Sequence, residues 1–476
     1  MPRDGYADGF ARGTFTLVLR QGLSMGLSAL GLLLVARLVG SADYGAYVAA
    51  QAYVLVVAAV AQMGLGLALV RTPQEPDRTA LDTAWLLLCG GGILAGLTGW
   101  ALAGLLLPGE ELAGTRAVMV LMLIVQVAAL PASVPLALLE RRMAFTSIAL
   151  VELGSQALWL GLSFALAHAS AGVWALPAGW CLQQAALAVA WHVLAGHRPG
   201  RAFAASAAAR LLRFGLANAA ATASWQLRQL AAPMIVGPRL GTEAVGQIGL
   251  ASRLIEILSL VRHALWRAGA PLLGRLADDA EGTARAVTAG GAAAAAATGA
   301  LCALVVALRP SVEAVLGPSW QATLDLFPAF AAQALVASLT GLVALALHVR
   351  GLALRVAACN LVHIAVLASV GWWAVGHRGL PGWGLAEAAS GATFLLFILL
   401  CPPELRWRLA RQMLPLLLLL PPVAWYLFLP SLPSALACLV ALVGLGLAAR
   451  RNWLLVRSAD ARTAGQAGNG MRAGRH

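Results

Sequence analysis

The sequence predicts an all-α polytopic membrane protein of about 14 transmembrane helices, built as two parallel six-helix lobes followed by two additional helices. Three observations predict it. Of 476 residues, 60% are hydrophobic and 11% charged, with a mean hydropathy of +0.81, whereas soluble domains carry about 25% charged residues. Apolar runs of about 20 residues, the length that crosses a bilayer as a helix, recur from end to end. A loop motif also repeats after the first and seventh runs.

In chain order the candidate helices span about 14–36, 46–69, 83–107, 117–139, 147–168, 172–195, 214–237, 245–267, 286–308, 326–348, 354–376, 382–402, 413–429 and 434–449. The run that follows Arg3 and Arg12 is too long for a signal-peptide core, so it is read as an uncleaved first helix. The longest connection, Gly196 to Arg213, leaves no room for an inserted catalytic domain. No lysine occurs, which excludes a P-loop and its nucleotide chemistry. Cys89, Cys181, Cys302, Cys359, Cys401 and Cys438 fall singly in or at the ends of apolar segments, without metal-ligand spacing, and are expected to be small buried hydrophobes. Pro131, Pro135, Pro177, Pro233 and Pro328 are expected to loosen the helices that carry them. Trp85, Trp100, Trp180, Trp320, Trp383, Trp407 and Trp453, near helix ends, are expected to be interfacial anchors.

The net charge of +13 consists of 33 arginines against 20 acidic residues. With a cytoplasmic N-terminus, 24 arginines fall in cytoplasmic loops and tails and five on the far side: Arg37, Arg116, Arg239, Arg309 and Arg378. The positive-inside rule therefore places both termini in the cytoplasm, and the charge records orientation rather than nucleic-acid binding. Four arginines remain inside helices: Arg20, Arg228, Arg253 and Arg262.

The repeated loop reads Arg37-Leu38-Val39-Gly40-Ser41-Ala42-Asp43-Tyr44-Gly45 and, after helix seven, Arg239-Leu240-Gly241-Thr242-Glu243-Ala244-Val245-Gly246. Both copies carry glycines five residues apart, suited to a tight turn. Copies six helices apart have the same orientation, which gives an N-terminal lobe over 1–195, a basic linker over 196–213, a second lobe over 214–402, two further helices over 403–449 and a basic tail over 450–476. The linker reads either as an interfacial amphipathic helix facing anionic headgroups or as a plain connection.

Arg20-Gln21 in helix one and the run from Arg37 to Tyr47 resemble the polysaccharide exporters of the MOP (multidrug/oligosaccharidyl-lipid/polysaccharide) superfamily. So do Gly64-Leu65-Gly66 with Val70-Arg71, the stretch Glu140-Arg141-Arg142-Met143-Ala144-Phe145, and Leu316-Gly317-Pro318-Ser319-Trp320. The resemblance covers roughly the first 350 residues. It implies a MATE-like pair of lobes around a central cavity, alternating access by rocking, no bound cofactor, and a Wzx-type flippase of the bacterial inner membrane. Its substrate would be undecaprenyl-pyrophosphate-linked oligosaccharide, its driving ion H+ or Na+, and its partners the bilayer and polysaccharide assembly proteins. The chain departs from a typical member in lacking lysine, so a cationic cavity must be built from arginine and histidine.

A charge at the centre of a membrane helix costs about 3 kcal/mol on insertion scales and so lines a cavity or finds a partner. Arg20 and Gln21 share an arc of helix one with Thr16, Ser24 and Ser28, leaving cavity exposure and snorkelling to the headgroups as alternatives. Arg228 and Gln229 lie deep in helix seven with Asn218, Thr222 and Gln226. Arg253 and Glu256 are three apart on helix eight, on the side of Ser252, Ser259 and His263, and are spaced to pair. Arg262, near the cytoplasmic end, is expected to snorkel. Arg20, Gln21, Arg228, Gln229, Arg253 and Glu256 form the candidate substrate site, because guanidinium forks onto phosphate oxygens and stays charged when desolvated.

Glu152, Glu387 and His263 are the candidates for ion coupling, and either glutamate can instead pair with an arginine. His168, His192, His348 and His363 are more simply interfacial or satisfied core residues. A cation-coupled drug or metabolite antiporter of the same superfamily would be expected to centre on acidic residues. A membrane polysaccharide polymerase or ligase would need a large extracytoplasmic loop, which is absent here.

Overall fold

The computed structural model describes residues 31–71, 75–106, 113–276 and 278–473, and most of these are helical. Lipid offers no partner for backbone polar groups, so a chain this apolar satisfies them within helices. Among the described residues eleven helices are long and apolar enough to cross a membrane: Ser41–Gln62, Arg78–Ala103, Gly114–Arg141, Thr146–His168, Gly172–Ala195, Ala280–Ala307, Pro318–Val349, Ala353–Arg378, Leu380–Leu399, Pro403–Phe428 and Leu432–Leu455. The bent pair Gly237–Leu258 and Leu260–Trp266 raises the number to twelve. Two of the 14 expected segments account for the difference. Most of 14–36 lies outside the described residues, and the helix Ala205–Ile235, which carries Gln226, Arg228 and Gln229, is not among the sufficiently apolar ones.

The chain divides into two compact units, one containing the described residues up to Leu250 with Glu313–Ala322, the other Ala251–Val312 with the residues from Thr323 on. In the first, the helix Ser41–Gln62 packs on Arg78–Leu106, Ala113–Ala129 and Ala205–Ile235. It ends at Met63 and Gly64, both with positive φ (48° and 66°), before a short helix Leu65–Arg71. The single expected run over 46–69 is thus broken, and the reason lies elsewhere in the chain: a Cβ at Gly64 would stand 2.3 Å from the Gly215 carbonyl oxygen. The segment expected at 117–139 is interrupted by a 3-10 turn over Leu130–Ala132, where Pro131 lacks an N–H. Residues 197–204 are not helical, and the helix that follows runs unbroken from Ala205 to Ile235, so Arg210 and Arg213 sit on its first turns.

In the second unit the alanine-rich helix Ala280–Ala307 is the packing centre. Helices have little hydrophobic drive to associate in lipid, so close approach of small residues matters most. A Cβ at Gly291 would lie 2.2 Å from the Leu339 carbonyl oxygen, and one at Gly299 would lie 2.8 Å from Leu442. The C-terminal helix Leu432–Ala473 packs along this face beside Leu420–Phe428. At one end Glu281 accepts hydrogen bonds from Arg285, Arg408 and Gln412, tying Pro403–Leu417 to the same helix. The two additional helices are therefore an integral part of this unit.

Cys302, Cys359, Cys401 and Cys438 are buried, Cys89 and Cys181 half-buried, and all six are free thiols. Of the seven tryptophans expected as anchors, Trp85 is half-buried. Trp100, Trp407 and Trp453 are exposed, as anchors are, but Trp180, Trp320 and Trp383 are buried core residues. Glycine makes the room: the Trp383 ring packs 3.0 Å from where a Cβ on Gly371 would sit.

Candidate functional site

Arg228 lies at the start of the last quarter of the helix Ala205–Ile235, half-buried, with its guanidinium carbon 5.8 Å from the centre of the Trp225 ring. The spacing from 225 to 228 puts both on one helix face. The negative face of the ring attracts the cation. On the next turn Gln229 donates to Gln226. Arg228 and Gln229 flank Trp225 on one side of the helix, and Gln226, two residues before Arg228, lies well round from it.

Arg253 donates to Glu256 at 2.7 Å, the pair that the three-residue spacing predicts. The side chains are 40% and 54% exposed, so their mutual attraction is weak and either end is open to competition from another ion. One turn later the helix breaks at Ser259, bending by 56°. The Ser259 hydroxyl is buried and has no hydrogen-bond partner among the described residues. His263 and Arg262 lie beyond the break, both half-buried, with Arg262 packed near Gly341. Arg20 and Gln21 lie outside the described residues. Of the ion-coupling candidates, Glu387 is 2% exposed in the helix Leu380–Gly391, whereas Glu152 is exposed. His363 is a satisfied core histidine: its Nδ1 is 3.0 Å from both the Ser390 carbonyl oxygen and Thr393 Oγ1, and its ring stacks on Phe394.

The family model described as polysaccharide biosynthesis protein matches residues 34–325, more than half of the chain. The chain belongs to this family. No curated protein matches it. Among solved structures it is similar to an inward-facing MATE multidrug resistance transporter of the MOP superfamily, at 14% identity and a TM-score of 0.61 over 81% of this chain and 94% of that one. It is also similar to the lipid II flippase MurJ in an inward closed conformation, at 11% identity and a TM-score of 0.62 over 91% of this chain and 99% of that one. An outward-facing MATE transporter matches at 14% identity, with a TM-score of 0.55 over 83% of this chain and 94% of that one. These likenesses establish the fold: this polysaccharide biosynthesis family member has the helical architecture of the MOP-superfamily transporters.

A second polar cluster in the family member was not legible as a unit in its sequence. Asp82, 3% exposed, accepts the Gly200 N–H at 2.9 Å, and Thr83 accepts that of Ala204 at 3.0 Å, so the segment 197–204 is pinned to the start of the helix Arg78–Leu106. Only glycine fits at 200, since a Cβ there would be 2.1 Å from the Asp82 carboxylate. His197, the first residue of this segment, is half-buried, with both ring nitrogens buried and without hydrogen-bond partners among the described residues, and its ring centre is 5.9 Å from that of His192.

Burial, then His192 and Arg78, push the His197 pKa below the ordinary 6.5, against an opposing pull from Asp82. The folded protein thus resists a proton that the unfolded chain accepts. This contribution to stability is present above pH 6.5 and is lost as pH falls through the ordinary value toward the lowered one. His197→Gln is expected to lose less thermal stability than wild type between about pH 7.5 and pH 5. Melting curves in detergent check this, and parallel losses in the two proteins would contradict it.

Proposed function

We propose that this chain translocates polyprenyl-pyrophosphate-linked oligosaccharide units across the bacterial cytoplasmic membrane for surface polysaccharide assembly. The observation that carries the reading is Arg228, a guanidinium over the Trp225 ring next to Gln229, within a helix long enough to cross the membrane. A pyrophosphate carries its charge through the membrane and needs fixed cations there, which arginine supplies bidentately without titrating. Arg253, with Arg20 and Gln21, adds to the set, and Glu256 serves as the counter-charge that releases Arg253 when phosphate arrives. The amides of Gln229 and Gln226 suit sugar hydroxyls.

In this reading the lobes over 1–195 and 214–402 alternate access, the polyprenyl tail stays in lipid, and both termini face the cytoplasm, a placement that the arginine distribution supports. The buried Glu387 is the better placed of the two coupling carboxylates, with H+ or Na+ as the ion. The family match to polysaccharide biosynthesis favours this substrate class over drugs. The test is flipping of lipid-linked oligosaccharide by the purified protein in liposomes, with an Arg228→Ala protein as the negative control.

A further inference from the structure

Two turns of the second unit lie between spanning segments and meet at one membrane end: 350–352, between Pro318–Val349 and Ala353–Arg378, and 400–402, between Leu380–Leu399 and Pro403–Phe428. Three arginines converge there. Arg355 donates to the Leu400 carbonyl oxygen at 2.7 Å, and Arg406 donates to the Cys401 carbonyl oxygen through Nε and Nη2 at 3.3 and 3.1 Å. Arg350 donates to Thr283 Oγ1 at 3.5 Å, and its charge acts with those of Arg406 and Arg355 on the buried Cys401 thiol. No carboxylate is among the charges acting on that thiol.

Capping explains part of this arrangement. Leu400 and Cys401 end a helical stretch whose last carbonyls need donors. A guanidinium carries five N–H groups, however, and the caps take one from Arg355 and two from Arg406. Each of these arginines also stands in the first turn of a helix, Ala353–Arg378 and Pro403–Leu417, where the helix dipole disfavours a cation, and neither helix start has a side-chain cap. Elsewhere in this unit converging arginines are neutralised, as where Arg285 and Arg408 share Glu281. Neither Arg355 nor Arg406 has an ion pair among the described residues. Glu404 is exposed and two residues before Arg406, which puts it well round the helix from that side chain.

The surroundings of the cluster indicate which kind of anion fits. Leu354, Leu399 and Trp407, next in sequence to Arg355, Leu400 and Arg406, are all exposed. Large apolar side chains open beside cations suit the bilayer interface, with hydrocarbon on one side and headgroups on the other. We propose that Arg350, Arg355 and Arg406, with the two uncapped helix starts, hold the phosphodiester of an anionic phospholipid whose acyl chains lie against Leu354, Leu399 and Trp407. This site is separate from the one built on Arg228 and does not depend on transport. Its placement in the cytoplasmic leaflet rests on the orientation proposed above.

Melting of the purified full-length protein in a neutral detergent tests the site, with phosphatidylglycerol as the probe and phosphatidylcholine as the lipid of no net charge. A saturable rise in melting temperature is expected with phosphatidylglycerol and little or none with phosphatidylcholine; an equal response to both would overturn the site. In Arg355→Gln/Arg406→Gln an amide can still donate to each carbonyl, but half-saturation should need about thirtyfold more phosphatidylglycerol, about fivefold for each lost charge. Arg450→Gln/Arg451→Gln removes the same charge from exposed positions on the C-terminal helix and should leave half-saturation nearly unchanged. Equal weakening in the two double variants would reveal attraction to the net charge alone and overturn the site, as would wild-type affinity in Arg355→Gln/Arg406→Gln. An equal rise from inorganic phosphate without lipid would overturn the phospholipid as the ligand. Should the first double variant not fold, Arg355→Gln replaces it, with about fivefold weaker binding expected and unchanged binding decisive against the proposal.

Discussion

Arg228→Ala is expected to abolish surface polysaccharide while leaving the amount of membrane-inserted protein at the wild-type level. A deep arginine costs about 3 kcal/mol on insertion scales, so its removal makes the helix Ala205–Ile235 easier to insert. What disappears is the stacked guanidinium at 5.8 Å from Trp225 and its ability to fork onto phosphate oxygens. Arg228→Lys keeps the charge but neither the plane nor the fork, and should retain only a small part of export. The check is immunoblotting of membranes alongside surface polysaccharide staining. Normal export by a stable Arg228→Ala protein would remove Arg228 from the site.

Gly291→Val is expected to unfold the second unit or to reduce folded yield severalfold. A Cβ there would stand 2.2 Å from the Leu339 carbonyl oxygen and 3.1 Å from the Leu339 carbonyl carbon, and a helix backbone cannot step aside as a flexible side chain can. Overpacking of this kind costs about 3 kcal/mol at the upper end of the usual range, and it would disturb the helix on which the C-terminal helices Pro403–Leu417 and Leu432–Ala473 are fastened. Gly90→Val is the matched control, with nothing within 4 Å of its Cβ, and should leave yield nearly unchanged. Size-exclusion chromatography and melting in detergent compare the two. Equal behaviour would mean that backbone contact at Gly291 does not limit this packing.

Much of the fold was legible because lipid imposes uniform demands: a helix that must cross is long and apolar, and its window shows in any single sequence. The pairing of Arg253 with Glu256 was legible for the same local reason, since residues three apart share a helix face. What escaped depends on partners far along the chain. The break at Met63 and Gly64 answers to Gly215, the course of residues 197–204 to an Asp82–Gly200 contact across 118 residues, and the burial of Trp320 to Tyr44. The paired glycines at 45 and 246 stood out as a repeat, yet nothing in either copy says that the copies touch. Arg20 and Gln21 lie outside the described residues and keep only their sequence argument.

The proposed function is movement of a lipid-linked oligosaccharide between leaflets. Purified protein reconstituted into liposomes with a polyprenyl-pyrophosphate-linked oligosaccharide bearing a fluorescent sugar tests it directly, with an impermeant quencher reading the outer leaflet. The protected inner-leaflet fraction is expected to decay with wild type and to persist with Arg228→Ala. A wild-type protein that leaves this fraction as protected as in protein-free liposomes, while exporting a cationic drug from the same vesicles, would contradict it.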